Sequence, residues 1–298
     1  MLNRRTFMAG AASLAAATPI LKVAADIAIG PDAKLAILSD GNINLPLSML
    51  ARDVAPATLK EIVGQSDEFT SVLNITCLRR GKEVVLFDCG AGANFITGSG
   101  KLQASLESQG IAAESVTHVV FTHLHPDHFW GALDDFDSPA FPNAKWLVNK
   151  AEVDFWADPG IFQRLPEDRH MFAAGAQRVL KGLGDVLEHR APGQEWLPGV
   201  FAFETPGHTP GHTSFELKAG GDSVIVLGDA LTHGKISFEH PEWMPAADHD
   251  GDQAIKTRKT VLARAANEKL RVIGYHLPGA VGRVERAAGA YRFVPGEA

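Results

Sequence analysis

Phe121-Thr122-His123-Leu124-His125-Pro126-Asp127-His128 is the stretch whose reading decides the fold. It places three histidines and an aspartate in the spacing H-x-H-x-D-H, and imidazole with carboxylate is the usual donor set of zinc and its neighbours. The preceding Val116-Thr117-His118-Val119-Val120-Phe121 is β-branched or apolar and predicts a buried strand. Side chains alternate along extended chain, so His123 and His125 leave the strand end pointing the same way. Pro126 suits the first turn of a helix that Asp127 and His128 then begin. Two imidazoles thus aim at one point, while a carboxylate and a third imidazole aim at a neighbouring one. That is a geometry for a pair of metal ions. His118, alone on an apolar strand, reads as an ordinary structural histidine.

The chain has 298 residues, enough for one large domain or two small ones. A hydrophobic content of 45% with 21% charged residues is that of a soluble globule. The net charge of −7 and the absence of a Lys/Arg run give no support to a nucleic-acid partner. Two cysteines, Cys77 and Cys89, can build neither a disulfide framework nor a zinc-thiolate cluster. Placed on strands that turn at Arg80-Gly81-Lys82, Cys77 should oppose Val85. Cys89 then lies about four residues further along, at ~3.3 Å each, too far for a bridge. Two free, buried thiols are expected.

Residues 1–25 read as an export signal. Arg4-Arg5 precede an apolar run over residues 7–17, shorter than the roughly 20 residues of a membrane span. Val23-Ala24-Ala25 has the small side chains of a cleavage site, with Asp26 as the mature N-terminus. The paired arginines resemble a twin-arginine signal, which implies a periplasmic protein. Residues 26–298 would then form a single catalytic domain without a stable membrane anchor.

Within that domain, residues 34–38 predict a strand ending in an Asp40-Gly41 turn, and residues 42–46 a loop exposing Ile43 and Leu45. Residues 71–76 and 83–87 form a hairpin. The glycine-rich turn over residues 88–92 lacks phosphate-loop spacing and is read as structural. A helix over residues 101–109 and a strand over 145–149 follow. Residues 150–183 are helical and aromatic, either a solvent-facing layer or a lid. Strands over residues 201–204, 213–217 and 223–227 come next, then a helix over 252–267 capped by Asp250 and Asp252. A strand over residues 270–275 delivers His276. Runs of strands with helices outside them predict one α/β sandwich. His208, Asp229 and His276 each follow an apolar strand, and a carboxylate at Asp229 is a buried charge that needs partners.

H-x-H-x-D-H, then Pro206-Gly207-His208, then Gly228-Asp229, then the late His276 resemble the metallo-β-lactamase superfamily of dinuclear metallohydrolases. The resemblance implies a four-layer αββα sandwich with the site at one edge of the two sheets. It implies that His123, His125 and His208 hold a first metal, that Asp127, His128 and His276 hold a second, and that Asp229 bridges them. His212 competes with His208, but the family uses the first histidine of such a pair. Asp229 argues against β-lactamase activity, since true β-lactamases of this fold lack the bridging aspartate. The run Tyr275-His276-Leu277-Pro278-Gly279 is most similar to the methyl parathion hydrolase branch, which adjoins the acyl-homoserine lactonases. Those lactonases carry a tyrosine three residues after the bridging aspartate, where Thr232 stands here. Ile43, Leu45 and Trp130 are the counterparts of bulky residues at the mouth, and Thr232 and His233 are candidates for substrate contact.

The expected cofactor is two zinc ions, with manganese, iron or cobalt fitting the same donors. Such a pair holds a bridging hydroxide at neutral pH. Asp127 is the candidate catalytic residue, orienting that hydroxide or taking its proton, and Asp88 would steady the His123 loop from behind. The expected reaction is hydrolysis of an ester-like bond in a small molecule, an aryl ester or phosphotriester ahead of an acyl-homoserine or other lactone. Iron-dependent redox chemistry on the same fold is the rival of another class. A non-catalytic binding module would have lost ligands, and none is missing. A homodimer is compatible with the sequence.

Overall fold

Apolar central strands flanked mostly by more polar edge strands build two seven-stranded mixed sheets from residues 27–296, the part of the chain that the computed structural model describes. The export-signal reading of residues 1–25 lies outside them. The first sheet holds, in chain order and spatial order alike, β1 (Ile27–Ile29), β2 (Ala33–Pro46), β3 (Glu68–Arg80), β4 (Glu83–Phe87), β5 (His118–Val120), β6 (Lys145–Asn149) and β7 (Leu187–Arg190). The second holds β8 (Gln194–Leu197), β9 (Val200–Glu204), β10 (Thr213–Ala219), β11 (Asp222–Val226), β12 (Arg271–Ile273), β13 (Val281–Ala287) and β14 (Ala290–Pro295), again in sequential order. Strands β4 to β7 are mutually parallel, as are β11 and β12; the other pairings are antiparallel. Helices α1 (Pro56–Val63), α2 (Leu102–Ser108), α3 (Pro126–Phe129), α4 (Lys150–Trp156), α5 (Ile161–Arg164), α6 (His170–Leu183), α7 (Ile236–Glu239) and α8 (Gly251–Asn267) complete the structure.

Alternation along each strand explains the layers. Val85, Phe87, Val120 and Leu147 face the other sheet and meet Phe215, Val224 and Val226. Their neighbours Leu86, Val119, Trp146 and Val148 face outward and are covered by Leu102 and Leu106 of α2 and by Ala173, Ala176 and Val179 of α6. On the far side Ile225 and Val272 pack under Val261, Leu262 and Ala265 of α8. A strand covered on both faces must be apolar at every position, so these segments read as unbroken hydrophobic runs. The result is the expected αββα order. Among the described residues no helix is long and apolar enough to cross a membrane.

Parallel strands align their carboxyl ends. Asp88 follows β4, the His123 loop follows β5, Asp229 follows β11 and His276 follows β12. The sandwich therefore collects its polar side chains along one rim, where open α/β sheets generally bind ligands.

Four local expectations are corrected. The first long strand does not stop at Asp40-Gly41; a bulge between Ser39 and Gly41 lets β2 run on to Pro46. Gly41 has φ +102°, and a Cβ there would lie 2.0 Å from the Gly98 carbonyl oxygen, so glycine is what permits the continuation. Ile43 is consequently buried and Leu45 half-buried, neither standing in an exposed loop. Cys77 opposes Leu86, one residue beyond the expected partner; both thiols are free and buried as expected. Asp250 alone caps α8, accepting the Gln253 N–H at 3.0 Å, while Asp252 lies within the first turn.

Phe87 sits between the sheets with its ring centroid 5.4 Å from that of Phe215. Phe87→Ala should cost about 3–5 kcal/mol in urea unfolding. Phe136, 88% exposed, should tolerate serine within about 0.5 kcal/mol; equal costs would contradict the packing described here.

Candidate metal centre

The loop after β5 is fixed before any ligand is placed. Asp88, in the left-handed region at φ 66°, accepts the Thr122 N–H and the Thr122 hydroxyl, both at 2.8 Å. Pro126 then opens α3, whose single turn carries Asp127 and His128. In the second half, Gly207 lets the Thr205–His212 loop lie against α8: a Cβ there would stand 2.2 Å from the Ala254 nitrogen.

The seven expected ligands converge. His125 Nδ1 lies 3.0 Å from His123 Nε2 and 2.9 Å from His208 Nε2. His128 Nε2 is 3.7 Å from Asp127 Oδ2, and His276 Nε2 is 3.4 Å from the same oxygen. Asp229 stands between the two groups, with Oδ1 3.2 Å from His128 Nε2 and Oδ2 3.2 and 3.3 Å from Nε2 of His276 and His208. Three sets within this cluster could hold a metal ion: His123, His125 and His208; His123, His128 and Asp229; Asp127, His128 and His276.

The outer nitrogen of each imidazole decides what its inner nitrogen can do. His128 Nδ1 is 2.8 Å from Asp88 Oδ2, and His208 Nδ1 is 2.9 Å from Asp248 Oδ1. His276 Nδ1 is 3.0 Å from the Val72 carbonyl oxygen. These oxygens accept only, so each Nδ1 carries a proton and a neutral ring turns the Nε2 lone pair inward. There the lone pairs meet carboxylate oxygens and one another. Acceptor against acceptor is repulsive unless a proton or a cation lies between. His128 Nε2 and Asp229 Oδ1 make no hydrogen bond of good geometry although both are buried. The donor set, the convergence and these two orphaned atoms fit a pair of divalent cations.

Electrostatics agree. Burial and the neighbouring imidazoles hold His123 and His125 well below the usual histidine range. Burial also acts on His208, but hydrogen bonds to Asp229 and Asp248 overcome it and push it up to about 9. His128 and His276 are likewise raised against burial, chiefly by Asp229. Asp229 is held well below the carboxylate range, as His276 and His128 outweigh its desolvation. His212 is different. Its Nε2 accepts the Asp229 N–H at 2.9 Å and its Nδ1 lies 2.7 Å from Thr205 Oγ1, so both nitrogens are occupied and it acts as a brace for Asp229.

A cavity of about 320 Å³ opens on this cluster. Asp127, His125, His208, Asp229 and His276 form its floor, and Ile43, Leu45, Phe69, Phe95 and Phe172 are prominent in its walls. Of the expected substrate contacts, Ile43, Leu45 and Thr232 line it. Trp130 does not; it packs beneath α6 against Gly175, where a Cβ would meet its ring at 2.1 Å, and edge-on to Phe95. His233 does not either, because its Nδ1 accepts the N–H groups of Lys235 and Ile236 and so ties down its own turn. The helical region over residues 150–183 packs on the first sheet and also supplies Asp168, Arg169 and Phe172 to the cavity wall. His118 lies outside the site, bonded to Thr117. Tyr275 went unassigned in the sequence: its hydroxyl donates to the Asp127 carbonyl oxygen at 2.5 Å and its ring stacks on His128 at 3.8 Å. An aromatic residue just before a ligand, at the end of an apolar strand, was the available signal.

The model of the metallo-β-lactamase superfamily matches residues 71–276. The chain belongs to the metallo-β-lactamase superfamily. Within this superfamily its fold is similar to that of AidC, a dizinc quorum-quenching lactonase solved with the product N-hexanoyl-L-homoserine: 28% identity, 92% of this chain and 97% of that one, TM-score 0.86. AbOPH, a hydrolase of the same superfamily, is similar at 28% identity over 93% of this chain and 99% of that one, TM-score 0.85. The N-acyl homoserine lactonase AttM of Azorhizobium caulinodans is 28% identical over 63% of this chain and 68% of its own length. These neighbours are lactonases and a hydrolase, where the sequence had suggested methyl parathion hydrolase.

Two outcomes follow for the centre. His208→Ala should lower bound metal from about two ions per chain towards one. His212→Ala should keep the metal but strand the buried Asp229 N–H, at a cost of about 1–3 kcal/mol. Elemental analysis and urea unfolding separate the two; the reverse pattern would make His212 the ligand. Second, metal-free protein should be most stable near pH 6.5. Above that, native His208 keeps a proton that the unfolded chain has lost, so stability falls as pH rises towards about 9. Below it, the unfolded chain takes up protons that buried His123, His125 and His212 refuse, so stability falls again, for His212 down to about pH 3. Urea midpoints in chelator across pH 4–10 check this bell shape.

Proposed function

We propose that this metallohydrolase opens lactone rings and that N-acyl homoserine lactones are its substrate class, with two zinc ions held by His123, His125, Asp127, His128, His208, Asp229 and His276. The observation that carries the reading is the largely apolar cavity whose floor holds His125, Asp127, His208, Asp229 and His276, in a chain similar over 92% of its length to a dizinc quorum-quenching lactonase. An acyl chain needs apolar walls, and a lactone needs a polar floor.

When bound, a pair of divalent cations supplies Lewis acidity and lowers the pKa of coordinated water towards about 7. The chain's own residues do the rest. Ring opening adds water across the acyl–oxygen bond: hydroxyl goes to the carbonyl carbon and a proton to the departing ring oxygen. Asp127 has a carboxylate that faces the cavity and is the group placed to take that proton and return it. Tyr275 holds the Asp127 backbone through its hydroxyl, which keeps the carboxylate on the cavity floor. The aliphatic and aromatic walls exclude bulk water and strengthen every electrostatic contact inside. Ligand imidazoles must be neutral to bind metal, so turnover should fall in acid.

One observation favours a second reading. Thr232 lines the cavity at the place where the lactonase branch is expected to carry tyrosine, and a missing donor at a developing oxyanion costs roughly 10²–10³ in rate. Aryl esters or aryl phosphotriesters, with good leaving groups, need that donor less. The expected outcome is a higher kcat/KM for acyl-homoserine lactones than for aryl esters, with a further gain for lactones in Thr232→Tyr. Parallel kinetics on both substrate classes with both proteins decide it. Fast aryl-ester turnover without lactone turnover would overturn the lactone reading.

A further inference from the structure

The two loops that would hold the first metal come from different sheets and lie far apart in the chain: His125 and His208 are 83 residues apart. One fully buried carboxylate, to which the chemistry above assigns nothing, touches both. Glu152, in the first turn of α4, accepts the Leu124 N–H through Oε1 at 3.1 Å and the Gly211 N–H through Oε2 at 3.0 Å. Leu124 stands between His123 and His125, and Gly211 lies three residues beyond His208. The Trp156 indole N–H donates to the same Oε1 at 3.3 Å. From the same helix start, Asn149 Nδ2 donates to the Gly211 carbonyl oxygen at 2.8 Å, so α4 grips Gly211 by both its backbone groups. The fit is close: a Cβ on Gly211 would stand 2.3 Å from the Glu152 nitrogen.

Among the described residues Glu152 makes no ion pair, and its burial raises its pKa. An unpaired carboxylate in the interior is costly, and here that cost is offset by the N–H donors of Leu124, Gly211 and Trp156 that converge on it. What the carboxylate provides is a rigid, two-armed acceptor. A backbone N–H from each loop is held on one planar group, which sets the separation of the loops to within a hydrogen-bond length.

We propose that Glu152 is a positioning residue for the first metal position: it sets the distance between the loop bearing His123 and His125 and the loop bearing His208. Glu152→Gln keeps the volume but turns an amide NH2 against one of the two backbone donors, so one loop must move. Side-chain contacts behind metal ligands are commonly worth about 10–100-fold in metal affinity. The test is a chelator-competition titration of zinc on the full-length protein, repeated with cobalt(II) to follow the ligand-field bands. In Glu152→Gln one of the two ions should bind about 10–100-fold more weakly, with altered cobalt bands for that ion, while the other keeps its affinity. Glu216→Gln is the control, since Glu216 is also buried but is bonded to Ser223 and Arg264, remote from the ligands; both ions should then bind as in the parent. If Glu152→Gln does not fold, Glu152→Asp, which keeps the charge but is too short to reach both backbone N–H groups, is titrated in its place with the same selective loss expected. Parental affinity for both ions, or an equal loss of both, overturns the inference. It rests on the metal centre and not on the lactone assignment, so failure of lactone turnover leaves this titration interpretable.

Discussion

The interaction on which the rest depends is the burial of the Asp229 carboxylate. It is 6% exposed and placed where two sheets meet, and an isolated carboxylate there would cost several kcal/mol. Its compensation comes from imidazoles on three separate segments, His128, His208 and His276. Its backbone N–H rests on a fourth imidazole, His212. No stretch of local sequence could supply that environment. The ends of β5, β11 and β12 and the turn after β9 have to arrive together, and the apolar layers that align those strands are what bring them. Stability of the sandwich and chemistry at its rim are in this sense one requirement.

Much of this was legible in the sequence because the ligands sit at strand ends, where alternation and the switch to Pro and Gly are local signals. His123, His125, Asp127 and His128 declare themselves by spacing alone. His208, Asp229 and His276 are marked by polar ligand types following apolar runs. Errors arose where a tertiary neighbour overrules local pattern. Asp40-Gly41 looks like a turn, yet Asp40 is drawn inward to accept the N–H groups of Ala91 and Leu102 at 2.9 Å each, and the strand bulges instead of ending. Trp130 looks like the counterpart of a bulky mouth residue, but the gap left by Gly175 on α6 accepts its ring.

The cavity was the least legible part. Its walls come from β2, the start of β3, the segment after β4 and the helical layer before β7, segments with no shared motif and no fixed spacing. A guanidinium, that of Arg169, stands in an otherwise largely apolar wall, where it donates to the carbonyls of Ala246 and Ala247. These backbone acceptors offset part of the cost of holding a charged group in an apolar wall.

Among the described residues two open sheets leave four rims, and each is blunted in its own way. The described part of β1 is three residues long and offers little backbone to template another strand. On β7 Glu188 and Arg190 are paired with each other along the edge, and β8 carries Gln194 and Glu195 before an irregularity in its register. Arg292 stands on β14, which ends at Pro295, a residue without an N–H to offer. Unpaired strand edges invite the addition of foreign strands, and short length, charge, bulges and proline are the devices that discourage it. The sandwich can therefore carry long hydrophobic strands at its centre while its outer strands give a neighbouring molecule little backbone to join.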